Sequence, residues 1–212
     1  PNHETYSKRA MARDQIEVMK KLGFEKFAVA GHDRGGRVAY RLALDSPASV
    51  TKLAVLDIVP TGDTLRRADW RFGMGYWHWF FLAQAHPLPE KMISADPISF
   101  LFRHGQASSD YEAYEDYLQN ARDPAAIHAM CEDYRAAVSV DFQHDQSDRG
   151  TRKIECPVLV LWGANSVIPK WYDTVGIWKE WASDVRGEEI ESGHMLAEEA
   201  PEATFQALLK FF

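Results

Sequence analysis

A tight turn between a short apolar segment and a helical pattern constrains this chain more than any other feature. Residues 27–30 (Phe-Ala-Val-Ala) are typical of a buried strand, and the apolar spacing over 38–43 is typical of a helix. Between them stands Gly31-His-Asp-Arg-Gly35, whose glycines allow a strand and a helix to approach closely around a strained turn. Such a turn pushes its central side chain, Asp33, out at the carboxyl end of the strand.

The composition is that of one globular domain with a sizeable core: 212 residues, of which 46% are hydrophobic and 26% charged. The formal net charge of -7 argues against nucleic acid or an anionic membrane surface as the main partner, so an anionic ligand would need a local basic pocket. Cys131 and Cys156 have no metal or redox spacing, which favours reduced, buried thiols. No apolar run reaches membrane-spanning length and no signal-peptide pattern opens the chain, so we expect a cytoplasmic protein.

Near-continuous apolar runs predict a mostly parallel α/β sheet, since strands buried on both faces lose the alternation of apolar and polar residues. The predicted strands are 27–31, 52–59, 158–162 and a more polar one, 188–191, that we place near an edge. The predicted helices beside them are 7–22, 35–45 and 203–212. The first has Met11, Val18 and Leu22 on one side with Ile16 and Met19 nearby, and the last has Phe205, Leu208, Leu209 and Phe212 on one face.

The stretch between the second and third strands differs from the rest. Residues 62–153 are rich in Trp, Tyr, Phe and His, contain repeated helical patterns and lack buried-strand runs. Long insertions of this kind are usually functional lids. We therefore expect a helical cap at 62–153, inserted between two parts of the core at 1–61 and 154–212.

Three residues form the predicted catalytic set. Asp33 is the predicted nucleophile, because a carboxylate needs no base and can attack carbon directly to form an ester; a turn or helix-capping aspartate is the alternative. His194 follows the last weak strand, in the chain order nucleophile, acid, histidine typical of this turn, and would activate water. Asp57, at the end of the second strand, is preferred to Asn165 as the orienting acid, because an aspartate in an apolar strand needs a buried partner; capping of the next turn is the alternative.

Two arginines follow the predicted nucleophile. Arg34 and Arg37 lie three residues apart, and guanidinium groups recognise carboxylates through paired hydrogen bonds, so we expect them to hold a small anionic substrate. A pair of solvated surface arginines, or one that forms a salt bridge with Asp45 or a cap acid, is the alternative. The segment Tyr76–Phe80 adds indole, imidazole and phenol donors, which suit a departing halide, although aromatic residues on helices are more often core.

Taken together, five segments resemble one known family. The matching segments are Gly31–Arg37, Leu56–Thr61 (Leu-Asp-Ile-Val-Pro-Thr), Tyr76–Trp79, Cys131–Ala136 (Cys-Glu-Asp-Tyr-Arg-Ala) and Glu191–His194 (Glu-Ser-Gly-His). This set is similar to the haloacetate (fluoroacetate) dehalogenases of the α/β-hydrolase superfamily, and the match runs from about Tyr6 to the C-terminus. The resemblance implies an α/β-hydrolase fold with an inserted helical cap.

The resemblance also implies a role for each matched residue. Haloacetate would be converted to glycolate and halide by displacement at the α-carbon and hydrolysis of the resulting ester, with no metal and no organic cofactor. A homodimer is common among such relatives. The implied catalytic residues are Asp33, Asp57 and His194; Arg34 and Arg37 would bind the substrate carboxylate, His78, Trp79 and Tyr134 would surround the halide, and His32 would line the site.

One departure from the family pattern concerns the start of the chain. The early strands of the fold are missing, together with the His-Gly-Phe-Pro loop that helps to build the family's oxyanion hole. The strand before Asp33 would then have an exposed edge. We therefore expect this chain to be a fragment of a longer enzyme that is poorly active alone.

Other functions are compatible with the same residues. Haloalkane dehalogenases and epoxide hydrolases also use an aspartate nucleophile, but they act on neutral substrates that have no use for paired arginines. An epoxide hydrolase also needs acidic tyrosines, and Tyr76, Tyr111, Tyr114 and Tyr117 keep that alternative open. A non-catalytic binding module of the same fold is the alternative from another class, since a fold alone does not settle function.

Overall fold

The computed structural model describes residues 3–101 and 111–212. These residues form one parallel sheet of four strands in the order β1-β2-β3-β4. The strands are β1 (Phe27–His32), β2 (Val50–Leu56), β3 (Val158–Gly163) and β4 (Val185–Ile190). The predicted parallel α/β sheet is confirmed, and the polar strand β4 lies at an edge, as expected. The strand before Asp33, β1, forms the other edge of the described sheet.

The carboxyl ends of the strands bring two predicted site residues to one edge of the sheet. β2 was expected to run to Val59 but ends at Leu56, because Asp57 has φ +53°, in the left-handed region, and cannot continue a strand. In the parallel register His32 pairs with Leu56. Asp33 and Asp57 therefore follow two neighbouring strand ends.

Helices cover the sheet and fill the long insertion. α1 (Lys8–Lys21) precedes β1, and α2 (Asp33–Asp45) connects β1 to β2. Between β2 and β3 the described residues form eight short helices, with a π-helical segment at Ala137–Asp141 before the last: α3 (Thr61–Arg66), α4 (Trp70–Gly75), α5 (Trp77–Leu82), α6 (Leu88–Ala95), α7 (Pro97–Leu101), α8 (Tyr114–Arg122), α9 (Pro124–Ala136) and α10 (Phe142–Asp148). After β3 come α11 (Ile168–Trp171) and α12 (Thr174–Lys179), and after β4 come α13 (Leu196–Glu199) and α14 (Pro201–Phe211).

The apolar side predicted for α1 is largely wrong. Val18 and Leu22 are 48% and 64% exposed. The helix instead reaches the core through Ala12 and Ile16, which are four residues apart and pack in the same cluster as residues of α2. The predicted bounds hold more closely, since the Ser7 side chain caps the first turn by accepting from the Ala10 N–H.

Of the apolar face predicted for α14, only Leu208 packs against the core. Phe205 and Leu209 are more than half exposed, whereas Thr204, Ala207 and Phe211 are buried. The Thr204 hydroxyl donates to the Leu196 carbonyl at 3.0 Å, which turns its own side of the helix toward the sheet. The face of α14 that meets the core is therefore a neighbouring stripe of the helix, which includes the polar residue Thr204.

Both faces of the central strands are buried, as their continuous apolar runs predict. Leu53 and Val55 of β2 point into a core formed with α2 and the indoles of Trp178 and Trp181. The alternate residues Ala54 and Leu56 pack on the other side with β3, α13 and α14. The sheet is thus a layer between helices, which fixes its carboxyl edge rigidly.

The insertion has an apolar cluster of its own. Phe72, Trp79 and Ile93 pack there with Ile127 and Tyr134. Its helical content agrees with the expected cap, while the unit boundaries at residues 61 and 153 stay predictions. No helix among the described residues is long and apolar enough to cross a membrane.

Candidate active site

The turn at Asp33 has the strained geometry that its glycines predict. Asp33 is the first residue of α2 and has φ +46°, a left-handed value that is costly for a residue with a Cβ. A Cβ at Gly31 would lie 2.4 Å from the Gly35 oxygen, and one at Gly36 would lie 2.8 Å from the Gly31 oxygen. Only glycine fits at these two positions, so the close packing of β1 against α2 directs Asp33 away from both.

His194 lies between the carboxylates of Asp33 and Asp57. His194 is in the loop after β4; its Nδ1–H donates to Asp57 Oδ2 at 2.6 Å, and its Nε2 lies 3.6 Å from Asp33 Oδ2. The Asp57 side chain is fully buried, and its other oxygen accepts from the Gly163 N–H at 3.0 Å and the Ser166 hydroxyl at 2.8 Å. These donors fix the carboxylate, which in turn fixes the tautomer and orientation of His194.

The charges in this row stabilise one another. Burial of His194 disfavours its protonated form, but its contacts with Asp33 and Asp57 outweigh this and raise its pKa to about 10. Burial likewise opposes ionisation of Asp33, yet His194, Arg34 and Arg37 hold the pKa of that carboxyl far below its usual range. At neutral pH the unliganded site therefore contains an ionised Asp33 beside an imidazolium.

Each of the two arginines is held in place by hydrogen bonds to neighbouring residues. Arg34 donates through Nε to the Asp133 carboxylate and through Nη2 to the Asp133 carbonyl at 3.2 Å, and its guanidinium lies 4.1 Å from the ring centre of Tyr134. Arg37 is 2% exposed; its Nη1 donates to the Val59 carbonyl at 3.0 Å. These contacts fix two positive groups beside Asp33. They argue against solvated arginines and against a pair with Asp45, whereas the alternative of a salt bridge to a cap acid holds for Arg34, whose partner Asp133 lies in the insertion.

The aromatic residues of the insertion close around these groups. Trp79 stacks against the guanidinium of Arg37, at 4.6 Å from the ring centre, and meets the Tyr134 ring edge to face at 5.6 Å. His78 packs on the other side of Tyr134, at 5.9 Å. His32 lies against His194, with ring centres 4.6 Å apart, and donates from Nε2 to the His194 carbonyl at 2.7 Å.

Asp33 opens into a cavity of about 390 Å³ between the sheet edge and the insertion. Among the described residues that line it are the predicted site residues Asp33, Arg37, Asp57, His78, Trp79, Tyr134 and His194. Residues from positions 33 to 194 thus meet in one concave site, which is the usual form of a small-molecule pocket.

A family model of the alpha/beta hydrolase fold matches residues 1–201. The chain belongs to the α/β-hydrolase family. A fluoroacetate dehalogenase from Burkholderia sp is 43% identical over 218 residues, which cover 100% of this chain and 71% of that protein. A soluble epoxide hydrolase from Corynebacterium sp. (strain C12) is 29% identical, over 98% of this chain and 74% of that protein. The crystal structure of a protein from Nostoc sp PCC 7120, provisionally assigned as an alpha/beta hydrolase, has a TM-score of 0.95 and 49% identity, over 100% of this chain and 74% of that one.

The expected resemblance to haloacetate dehalogenases is confirmed by these matches. They also agree with the predicted fold class. Of the two candidates for the orienting acid in this α/β hydrolase, Asp57 is the one that contacts His194. Asn165 instead donates to Glu191 at 2.9 Å on the surface.

The structure adds three residues to which the sequence assigned no role. Asp133 lies between the guanidinium of Arg34 and the ammonium of Lys8, whose side chain is 1% exposed. Asp141 also faces that ammonium, at 3.5 Å. The only sequence signal was the position of Asp133 beside Tyr134 in a family segment; Lys8, on α1, gave no signal at all.

One group of side chains among the described residues has the spacing of metal ligands. His86, Glu90 and His128 have ligand atoms within 4.8 Å of one another. However, the Glu90 carboxylate accepts two hydrogen bonds from Arg135, at 2.7 and 3.0 Å. This guanidinium neutralises the carboxylate, so the group behaves as an ion-pair network outside the residues that line the cavity.

Proposed function

We propose that this α/β hydrolase converts a haloacetate, either fluoroacetate or chloroacetate, into glycolate and halide. The observation that carries the proposal is a pair of buried donors beside the ionised Asp33: within the described residues, Arg34 Nη1 and Arg37 Nε have no hydrogen-bond partner. A buried donor without a partner costs about 1–3 kcal/mol, and a carboxylate would satisfy both groups. The identity to a fluoroacetate dehalogenase supports the same choice.

In the first step, the bound acid is attacked by Asp33. One carboxylate oxygen forms a bond to the α-carbon while the carbon–halogen bond breaks, and the halide leaves with the electron pair. The arginines hold the carboxylate of the acid, so the reacting carbon is oriented before the attack. The low pKa of Asp33 keeps the nucleophile charged throughout the neutral range.

The departing halide needs donors that carry no negative charge. His78, Trp79 and Tyr134 line the cavity and are contributed by α5 and α9 of the insertion. We infer that they donate hydrogen bonds to the halide, and that residues 62–153 act as a cap over the nucleophile. Fluoride is small and strongly hydrated, so several such donors are needed to replace its water.

In the second step, water cleaves the ester on Asp33. His194 Nε2 takes one proton from water, whose oxygen adds to the carbonyl carbon of the ester. The bond from that carbon to the glycolate oxygen then breaks, the second water proton passes to this oxygen, and glycolate leaves as the Asp33 carboxylate is restored. Asp57 stabilises the resulting imidazolium through Nδ1. The oxygen from water enters Asp33, so a single turnover in ¹⁸O-water is expected to label that side chain.

The first step provides the most direct test, since every residue proposed for it belongs to this chain. Chloroacetate or fluoroacetate is mixed with excess protein, and halide is followed with an ion-selective electrode. We expect one halide per protein and an ester on the peptide that contains Asp33, found by mass spectrometry. Asp33→Asn removes the nucleophile and is expected to abolish both signals.

The matched control is Asp14→Asn on the exposed face of α1, which is expected to leave both signals intact. Halide release by Asp33→Asn at the unmodified rate would refute the assignment of the nucleophile. Absence of any halide from the unmodified chain, with both acids, would refute the proposed activity and favour a binding module.

Epoxide hydrolysis is the second candidate, because two tyrosines, Tyr76 and Tyr117, also line the cavity. Burial raises the pKa of Tyr76, and a hydrogen bond to Glu198 raises the pKa of Tyr117 to about 12, so both phenols stay protonated and could assist ring opening as acids. The arginines argue against it, since a neutral epoxide would leave their buried donors unsatisfied. Diol formation from styrene oxide, faster than halide release from either haloacetate, would reverse the order of the two candidates.

A further inference from the structure

The cavity is much larger than a haloacetate molecule requires. The inference drawn from this difference rests on the function proposed above. Chloroacetate has one chlorine, two carbons and two oxygens, which would fill about 150 Å³ even at the ~30 Å³ that a water molecule occupies in the liquid. The cavity measures about 390 Å³, within the range of pockets that hold considerably larger ligands. More than half of it would stay empty or hold water.

The unused space runs along α9. Tyr134 packs on the guanidinium of Arg34, and the cavity is also lined by Met130, Ile127 and Ala126 on the same helix. These residues repeat at helical spacing and form one stripe. At 1.5 Å per residue, the stripe reaches about 12 Å from Tyr134 to Ala126. The cavity therefore extends well beyond the arginines toward the start of α9.

Apolar side chains line the part of the cavity beside α9. We call it the α9 lobe, lined by Leu82, Ala121, Ala126, Ile127 and Met130. Among the described lining residues, the acidic and basic ones other than histidine are Asp33, Arg37 and Asp57, all at the sheet edge. Tyr117 and Asn120 also line the cavity, but the Tyr117 hydroxyl donates to Glu198 and the Asn120 amide donates to the Asp116 carbonyl. Water beside the apolar side chains therefore has few partners, and an alkyl group would displace it favourably.

We propose that the substrates of this protein include 2-halo acids that carry an unbranched alkyl chain on the reacting carbon. With the carboxylate on the arginines, the halogen toward the aromatic donors and Asp33 opposite the halogen, the reacting carbon keeps two further bonds, one of which carries the substituent toward the α9 lobe. The chain lies in the α9 lobe, and the bonds made and broken are those of the haloacetate reaction.

A series of 2-chloro acids tests this without changing the crowding at the reacting carbon. The second-order rate constant for halide release is measured for 2-chloropropanoate, 2-chlorobutanoate, 2-chloropentanoate and 2-chlorohexanoate. Burial of each added methylene is expected to raise it about three- to fourfold until the lobe is full. Chloroacetate is assayed in parallel as the reference for the proposed function.

A pair of variants tests the location. Ala126→Leu places a larger side chain in the lobe and is expected to lower the ratio of the hexanoate to the propanoate rate constant about tenfold or more. Ala125→Leu, on the exposed side of the same turn, is the control and is expected to leave that ratio unchanged. Thermal unfolding of both variants checks that the helix is retained.

The outcomes separate the two proposals. Halide release from chloroacetate with flat or falling rate constants along the series would overturn the lobe proposal and leave the haloacetate activity standing. A rising series that Ala126→Leu does not flatten would overturn the placement of the chain along α9. No halide from any acid, chloroacetate included, would overturn the function on which the inference rests.

Discussion

Replacement of Asp57 by asparagine separates the two chemical steps. Asn tolerates the left-handed backbone of position 57, and its carbonyl oxygen can still accept from the Gly163 N–H and the Ser166 hydroxyl. Its amide, however, donates toward His194 Nδ1, where the carboxylate accepted. The imidazole must then carry its proton on Nε2, the atom that should take a proton from water.

The structure sets the size of this effect. A pKa of about 10 for His194, in place of the ordinary 6.5, corresponds to about 5 kcal/mol of preferential stabilisation of the imidazolium by Asp33 and Asp57, net of burial. During ester hydrolysis Asp33 is uncharged, so only the share of this stabilisation that Asp57 contributes remains. We expect hydrolysis to slow about 10³–10⁴-fold in Asp57→Asn, similar to the loss when a triad aspartate is replaced by its amide in a serine protease.

The assay follows halide and ester separately after mixing with excess chloroacetate. Asp57→Asn is expected to release one halide per protein and then stop, with the ester persisting on Asp33. Ser166→Ala, which removes one hydrogen bond to Asp57 but leaves its charge, is the control and is expected to slow hydrolysis by about tenfold or less. Steady turnover by Asp57→Asn within tenfold of the unmodified protein would refute the orienting role.

Three further predictions concern residues that support the site or carry its charges. Gly31→Ala is expected to destabilise the fold by about 3 kcal/mol or more, because its Cβ would lie 2.4 Å from the Gly35 oxygen. Gly35→Ala is the control: its Cβ would have open space around it, so this variant is expected to unfold at an unchanged or higher temperature. Asp133→Asn leaves Lys8 and Arg34 without their carboxylate and is expected to lower the free energy of unfolding by about 3–5 kcal/mol. The control Glu17→Gln, in an exposed pair, is expected to lower it by less than about 1 kcal/mol. Equal losses in denaturant titrations would contradict the buried network. Because the pKa of His194 is raised on folding, its stabilising contribution is complete below pH 6.5 and is lost as the pH rises through about 10. The free energy of unfolding should therefore fall over that pH range more in the unmodified protein than in His194→Gln. Parallel curves for the two proteins would exclude a stabilising contribution from the His194 charge.

The parts of the structure that the sequence predicted rest on local signals. The turn at Asp33 depends on glycines a few residues away, and the central strands carry their burial in continuous apolar runs. Asp57 was assigned because a carboxylate in an apolar stretch requires a partner, and it has one in His194. Each of these inferences needs only a short window of sequence and one physical rule.

The parts that it missed depend on contacts between distant residues. Lys8 and Asp133 are 125 positions apart, and nothing near either residue indicates the other. The faces of α1 and α14 were misjudged because apolar residues lie on more than one stripe of each helix, and the stripe that meets the sheet is decided by neighbours such as Leu196. A cap acid was one open alternative for the partner of Arg34, but the sequence did not identify Asp133, which reaches Arg34 only after the insertion folds over the sheet.

The charge on Asp33 explains how His194 can be an imidazolium in one step and a base in the next. In the unliganded site two carboxylates raise its pKa to about 10, so it carries a proton that does not hinder attack by Asp33. Ester formation removes the charge of Asp33, and the pKa of His194 then falls toward its ordinary value as burial and Asp57 oppose each other.

His194 should therefore release a proton when the ester forms and recover one when water cleaves it. In weakly buffered solution at pH 8, a pH-indicator dye is expected to report about one proton per protein together with the first halide, before glycolate appears. His194→Gln should give the halide without the proton. If the proton instead accompanies glycolate in the unmodified protein, His194 is already neutral in the unliganded site, and the coupling between Asp33 and His194 is weaker than their 3.6 Å separation implies.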